Sequence, residues 1–332
     1  MHRRDFARRR SAALLSGFGL GHVRKYAPST LTLSALHLIL RAKSQHIWIQ
    51  MCENGTLCNI LKKENYFLKK RYRMSKEILD LKMKLVEREE YSDRLFLGHF
   101  TPVEAGVKLP HFAPGQFVQV WVKAPDGLLL RRPISIYDST ERVLSLLIQS
   151  AGRATRLLMQ APIGAEYQIL LPLGNSFELP PAGSQPLLVG GGVGVAPMYA
   201  LGKAMKQQGI APSFLLGARS QAHFSNLHHF EELGTLHLST EDGSLGSQGF
   251  VTDHPILREG HFTHIYMCGP TPMMKAVAHW AKQQGLPAQA SLENMMACGI
   301  GVCLCCVEPT AKGHKTVCHD GPVFNTSQLL WE

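Results

Sequence analysis

The sequence predicts a β-barrel followed by a parallel α/β unit and a C-terminal cysteine loop, and three observations carry that prediction. Short strand-like runs punctuated by Pro/Gly turns fill residues 78–150. From Pro186 the pattern becomes strand, glycine-rich loop, helix, strand. Near the end, five of the eight cysteines of the 332-residue chain crowd into residues 298–318.

The barrel rests on runs at 79–86, 94–99, 116–122 and 143–148, separated by turn signals such as Ala113-Pro-Gly115 and Pro125-Asp-Gly127. Several short strands at this spacing suggest an antiparallel barrel. The α/β unit is read from a strand at 187–189, a helix at 198–208, a strand at 213–216, a strand at 264–267 and a helix at 272–284. Alternation of that kind gives a parallel sheet.

The loop after the strand at 187–189 reads Gly190-Gly191-Gly192-Val-Gly194-Val-Ala-Pro197. Bare backbone opening a helix suits a pyrophosphate, because exposed amides and the helix N-terminus favour its charge. Glycines in such a turn also serve close strand–helix packing, and the loop departs from G-x-G-x-x-G. A second turn, Cys268-Gly269-Pro270, ends the strand at 264–267.

Cys298, Cys303 and Cys306 are spaced C-x4-C-x2-C, with Cys318 downstream. Plant-type ferredoxins hold a [2Fe–2S] cluster with that spacing. Four thiolates must converge on two irons, so the loop has to curl, and Gly299 and Gly301 supply the backbone freedom. A four-cysteine zinc site is the main alternative, although structural zinc sites usually pair two short C-x2-4-C units. Eight cysteines are too sparse, and too clustered, for a disulfide framework. Cys305 is surplus. A one-electron centre beside nucleotide-binding signals implies electron transfer.

The chain carries a formal net charge of +10, but residues 1–73 hold 15 of the 35 Lys and Arg and only 3 of the 25 Asp and Glu. The remainder has 20 basic against 22 acidic residues, so the body gives no support to nucleic-acid binding. The apolar runs at 12–20 and 31–40 are too short to span a bilayer. A twin-arginine signal or transit peptide is weighed for this segment. The preferred expectation is an extension that precedes the native start at Met74, after which regular patterning begins.

From Met74 onward the chain resembles the electron-transfer subunit of two-component, NAD-linked dihydroorotate dehydrogenase, within the ferredoxin–NADP reductase-like fold. The resemblance rests on Pro114-Gly-Gln-Phe117, Arg132-Pro-Ile-Ser135, Pro172-Leu-Gly-Asn175, the glycine loop, Asp242-Gly-Ser244, residues 249–253, Cys268-Gly-Pro-Thr-Pro272, residues 292–306 and Asp320-Gly-Pro-Val-Phe324. It implies an FAD-binding barrel at 74–180, an NAD-binding domain at 181–287 and a [2Fe–2S] module at 288–332. It also implies that Arg132, Pro133, Ile134 and Ser135 hold FAD. A guanidinium can fork onto the diphosphate, and the Ser135 hydroxyl can reach a ring nitrogen. For Arg132 alone, the plain alternative is a surface ion pair.

Two further flavin segments map to Leu147, Ile148 and Gln149, and to Ala154 and Thr155. Both depart from the family: Gln149 replaces an arginine and Ala154 a glycine, which weakens the diphosphate clamp and leaves FMN as the alternative flavin. Cys268 is implied to lie near the nicotinamide, against the commoner fate of a buried apolar cysteine. No catalytic residue is assigned to this chain. The implied partner is an FMN-containing catalytic subunit, in a cytoplasmic heterotetramer of two of each. A diaphorase-type subunit of an anaerobic sulfite reductase or hydrogenase is the alternative within the fold, and a zinc-stabilised binding module the alternative outside it.

Overall fold

Lys82 and Lys84 point to solvent while Met83 and Leu85 turn inward, and this alternation starts a closed six-stranded barrel. The computed structural model describes residues 77–331 apart from 124–126 and 128–129. The expectations for residues 1–73, for a start at Met74 and for most of the turn at 125–127 lie outside the described residues. The barrel strands are β1 (Leu79–Ser92), β2 (Leu95–Pro102), β3 (Phe117–Trp121), β4 (Arg132–Ser139), β5 (Leu144–Gln149) and, after the short helix α1 (Arg153–Met159), β6 (Glu166–Leu173). They close in the order β1-β2-β5-β4-β3-β6, every pair antiparallel.

β1 and β4 depart from the sequence reading for physical reasons. β1 runs six residues past Val86, where the apolar alternation stops, because its charged end stays on the β2 ladder. There Arg88 donates to the carbonyls of Ala161 and Met159 and lays its guanidinium over the Phe96 ring, 4.5 Å from the centroid. β4 begins at Arg132 although Pro133 cannot donate to the ladder. Burial of Ile134 and Ile136 in the barrel core holds the strand.

The second half is built on β7 (Pro186–Gly191), buried along its whole length. A 3-10 turn at Gly192–Gly194 leads into α2 (Val195–Gln207). Then come β8 (Ser213–Ala218), α3 (Leu227–Glu231), β9 (Thr235–Thr240), β10 (Ser247–Gln248), α4 (Ile256–Glu259), β11 (His264–Cys268), α5 (Thr271–Gln283) and β12 (Ala288–Ser291). α2 starts three residues before the expected Met198. Pro197 is tolerated there because first-turn N–H groups have no helical acceptor.

The sheet order is β10-β9-β8-β7-β11-β12-β15, parallel except for β15 (Val323–Asn325), which pairs antiparallel with β12. From β7 the chain builds outward through β8, then returns to lay β11 on the other side. That reversal opens a crevice at the carboxyl ends of β7 and β11, where ligands bind in such sheets. A small hairpin, β13 (Val307–Thr310) with β14 (Gly313–Thr316), follows the cysteine loop. One core fills the barrel, and a core lies on each side of the sheet. Phe117 and Leu173 of the barrel share a core with Cys306, Cys318 and Phe324, and this joins the C-terminal module to the barrel.

Candidate functional site

The crevice brings together the two turns read from the sequence. Cys268 pairs in register with Gly190 on one side and Ser291 on the other. A methyl group on Gly194 would lie 2.4 Å from the Cys268 carbonyl oxygen, and one on Gly191 would lie 2.6 Å from the Met273 sulfur. The Gly194 contact is with backbone, so packing of strand against turn requires that glycine, whereas the Met273 side chain can move aside at Gly191. Gly192 differs: its φ is +57° and a methyl there would meet nothing within 4 Å, so its backbone faces open space. Gly269, at φ +149°, packs against Gly191, and Pro270 precedes the first turn of α5. Pro197 is buried in α2. The Cys268 side chain is fully buried. Burial pushes its thiol well up, and the Glu293 charge adds to that.

On β4, Pro133, Ser135 and Tyr137 share the face opposite Ile134 and Ile136. Arg132 Nη1 donates to the carbonyls of Leu130 and Arg131, at 3.0 and 3.2 Å. Its neighbour Arg131 takes the ion pair, forking onto Asp80 at 3.1 and 2.8 Å. Tyr137, a residue the sequence reading missed, stacks on Tyr199 of α2 at 4.3 Å and 7°. Its hydroxyl lies 2.9 Å from His229 Nδ1. The only sequence signal was its place two residues after Ser135.

The second and third expected segments look different in space. Leu147 and Ile148 bury their side chains in two separate cores, which leaves Gln149 at the strand end as the polar group of that trio. Thr155 Oγ1 accepts from the N–H groups of Ala151 and Gly152, both at 2.9 Å, so it caps α1. Ala154 lies on the buried face of that helix.

In the cysteine loop the four predicted thiols fall into two neighbouring pairs. Cys298 Sγ accepts from the N–H groups of Ile300 and Cys303, each at 3.4 Å, and the Cys303 thiol donates to it as well. Cys306 Sγ accepts from Cys318 N–H at 3.3 Å and is hydrogen-bonded by the Cys318 thiol. Cys318 Sγ accepts from Gly301 N–H at 3.1 Å. Gly299 and Gly301 adopt φ of +73° and +80°, which aims these amides inward. Leu304 is also left-handed at φ +58°.

Burial raises the Cys298 thiol, but the hydrogen bonds from Ile300, Cys303 and Val302 outweigh it and bring its pKa down to about 7. Burial and the adjoining Cys306 push Cys318 up. Cys306 and Cys318 are buried, whereas Cys305 is exposed. Among the described residues, no three His, Cys, Asp or Glu side chains converge closely enough to hold one metal ion. Two N–H-supported thiol pairs suit a two-iron cluster by their donor chemistry.

The Pro172–Asn175 motif has a mechanical role the sequence did not announce. Asn175 Nδ2 donates to the carbonyls of Asp320 and Val323, at 3.0 and 2.8 Å, and its Oδ1 accepts from Val323 N–H at 2.9 Å. Asp320 Oδ2 in turn accepts from Thr316 N–H and Oγ1–H, closing the turn that presents Cys318.

A family model described as the iron–sulfur cluster binding domain of dihydroorotate dehydrogenase B matches residues 293–330, and an oxidoreductase NAD-binding domain matches residues 188–279. The dihydroorotate dehydrogenase B (NAD(+)) electron transfer subunit of Shouchella clausii is 40% identical over 225 residues, 65% of this chain and 86% of the relative. That of Listeria monocytogenes serovar 1/2a is 38% identical over 259 residues, 76% of this chain and 99% of the relative. The chain belongs to this family of electron transfer subunits.

It is thus an oxidoreductase subunit with an NAD-binding and an iron–sulfur cluster binding domain. Among solved structures, the NADH-dependent reduced ferredoxin-NADP oxidoreductase of flavin-based electron bifurcation is 29% identical with a TM-score of 0.68, covering 78% of this chain and 92% of that one. The ferredoxin reductase of carbazole 1,9a-dioxygenase, 21% identical with a TM-score of 0.55 over 63% of this chain and 66% of that one, shares the fold. The expected architecture of barrel, α/β sheet and cysteine module is borne out. Among the described residues no helix is long and apolar enough to cross a membrane.

Proposed function

We propose that this chain takes electrons from an FMN-bearing catalytic subunit that oxidises dihydroorotate and delivers them to NAD+, in a cytoplasmic heterotetramer with two copies of each subunit. The observation that carries this reading is the double thiol pair, seated against the same barrel that presents Arg132 and Ser135. Cys298 and Cys303 would hold one iron of a [2Fe–2S] cluster, and Cys306 and Cys318 the other. Backbone N–H groups aimed at the sulfurs favour their charged state. Arg132, which carries no ion pair to Asp80, would release its two carbonyl contacts and fork onto the FAD diphosphate. Ser135 would face the flavin ring. Gly192 would bring bare backbone to the NAD pyrophosphate at the start of α2. Cys268, held as a neutral thiol by its burial, would pack at the nicotinamide end.

When bound, flavin and cluster supply the exchange between two-electron hydride and one-electron transfer. The chain's own residues would hold these groups in sequence. No group in it is needed to act on dihydroorotate. Around the loop, Met295, Val302 and Leu304 are exposed apolar side chains, 80%, 68% and 64% accessible. A catalytic subunit docking there would cover them and approach the thiols.

The test is reconstitution. Alone, the protein should pass electrons from NADH to an artificial acceptor. Mixed with a cognate FMN-bearing catalytic subunit it should gain dihydroorotate-dependent NAD+ reduction, and C303S should abolish that gain. An inactive mixture, together with NADH-dependent sulfite reduction alongside other partners, would replace this reading with the diaphorase alternative.

A further inference from the structure

Gln119 lies in the middle of β3, is 0% exposed, and neither its Nε2 nor its Oε1 has a hydrogen-bond partner among the described residues. Burying a carboxamide without partners costs about 1–3 kcal/mol, so a barrel core would favour an apolar residue at this position. Its neighbours on the strand explain the direction in which it points. Val118 and Val120 turn into the barrel core, whereas Phe117 belongs to the core that contains Cys306 and Cys318. Gln119 therefore projects from the outer face of the barrel toward the cysteine loop. The contact is close: a methyl group on Gly299 would lie 2.7 Å from Gln119 Cδ and 2.8 Å from Nε2. Gly299 follows Cys298 directly, and its bare Cα, at φ +73°, is what admits the amide. In register, Gln119 pairs with Pro133 and Phe117 with Ser135, so the amide stands between the Arg132–Ser135 strand and the thiols.

We propose that Gln119 is a positioning residue for the group held by the cysteine loop. Its Nε2–H donates to a sulfur on the Cys298 side of that group and raises its reduction potential. This rests on the cluster reading given above. A hydrogen bond to sulfur favours the reduced state, which carries the extra negative charge, and such bonds are among the factors that set iron–sulfur potentials. An amide already buried and rigidly packed contributes more than a solvated donor, because it needs no reorganisation when charge arrives. The N–H groups that already donate to these sulfurs belong to the backbone of Ile300, Gly301, Cys303 and Cys318, whereas Gln119 offers a side-chain N–H that substitution can remove.

The experiment is redox titration of the purified, anaerobically handled full chain, followed by electron paramagnetic resonance of the reduced protein, in the parent, Q119L and Q119H. Q119L should keep its iron and sulfide but shift the reduction equilibrium toward the oxidised form about tenfold, ~59 mV lower for a one-electron couple, with altered g-values. Q119H, which retains an N–H donor, should stay near the parent. If Q119L fails to fold, Q119M carries the same expectation. Potentials and g-values equal to the parent's in Q119L overturn the proposal, as does a shift confined to the flavin. Loss of iron from both Q119L and Q119H overturns it too, because that marks a packing role. A parent protein without iron and labile sulfide fails the cluster reading itself. An iron-loaded parent with an indifferent Q119L fails only this inference.

Discussion

Asn175 grips the backbone of Val323 from both sides, its Oδ1 accepting from the N–H at 2.9 Å and its Nδ2 donating to the C=O at 2.8 Å. A residue at the end of the barrel thereby fixes the strand that follows the last predicted cysteine, 148 positions away in sequence. Asn175→Ala leaves the buried Val323 N–H unpaired, so it should cost about 1–3 kcal/mol of stability. It should also speed iron release to a chelator, because the turn from Thr316 to Asp320 loses its anchor. Urea unfolding and a chelator time course check both effects. Unchanged iron release would show that the clamp does not restrain the cysteine loop.

Gly194→Ala should disturb the packing of the crevice more than Gly192→Ala. The first methyl would meet backbone, 2.4 Å from the Cys268 carbonyl oxygen, where no flexible side chain can give way. Overpacking of this kind costs about 1–3 kcal/mol and should push β11 away from the crevice, weakening NADH binding. The second methyl meets no protein atom within 4 Å, so its cost to the ligand-free fold is the left-handed backbone, about 1–2 kcal/mol. Any loss of NADH binding there comes from a methyl standing where the pyrophosphate would approach. Calorimetric melting of the ligand-free proteins separates the two.

The α/β half was readable because apolar strands, glycine turns and helix starts follow one another in sequence. The barrel was readable only in part. β4 and β6 escaped, β4 because Arg132 and Pro133 hide the inward Ile134 and Ile136, and β6 because polar Glu166 and Gln168 interrupt its apolar residues. The four thiols could be chosen from spacing alone. Their pairing could not, because it depends on which amides the left-handed Gly299 and Gly301 turn inward. Gln119 was likewise invisible: a glutamine in an alternating strand reads as solvent-facing until the cysteine loop is seen to cover it. Leu147 and Ile148 show the opposite limit. The resemblance implies a flavin segment there, and the fold buries both side chains in the two cores, which leaves their backbone and Gln149 to face a cofactor.

Stability should fall as the pH drops below neutrality. Burial lowers the pKa of His229, His237 and His254, with the His228 charge adding to the first and His237 to the last. Each is then depressed in the fold relative to about 6.5 in the unfolded chain. Below that value the unfolded chain binds protons the fold resists, so stability is complete above pH ~6.5 and declines as pH falls toward the lowered values. Urea midpoints should decrease between pH 7.5 and 5.5, and His237→Gln should flatten the slope, because it also relieves His254. A midpoint independent of pH across that window would refute the assignment.

Arg132→Ala should lower flavin occupancy after extensive dialysis, while Arg131→Ala should leave it intact. The two neighbours have separate tasks: Arg131 is committed to Asp80 through two hydrogen bonds, whereas the contacts described for Arg132 are two backbone carbonyls. Exchange of those carbonyls for a diphosphate gains a charge-assisted fork, roughly twice as strong as a neutral bond. Flavin absorbance per protein is the measurement. Equal retention in both variants would make Arg132 an ordinary surface residue.

The thiol assignment makes the sharpest claim, because it separates two adjacent cysteines. Cys306 is 2% exposed, accepts from the Cys318 N–H and shares a core with Phe117 and Phe324, whereas Cys305 is exposed. Left-handed Leu304 precedes the two, and in this loop Cys305 faces out while Cys306 faces in. Anaerobically prepared protein should contain two irons and two labile sulfides per chain. C298S, C303S, C306S and C318S should each lose them, and C305S should keep both. The pairing adds a finer expectation. C306S and C318S remove a buried ligand and leave its partner thiol in the core, so they should also lower the melting temperature. C303S removes an exposed ligand and should lose the metal with little effect on the melting temperature of the metal-free protein. Stoichiometric zinc without labile sulfide would end the cluster reading, and iron lost only in C305S would reverse the choice between the two neighbours.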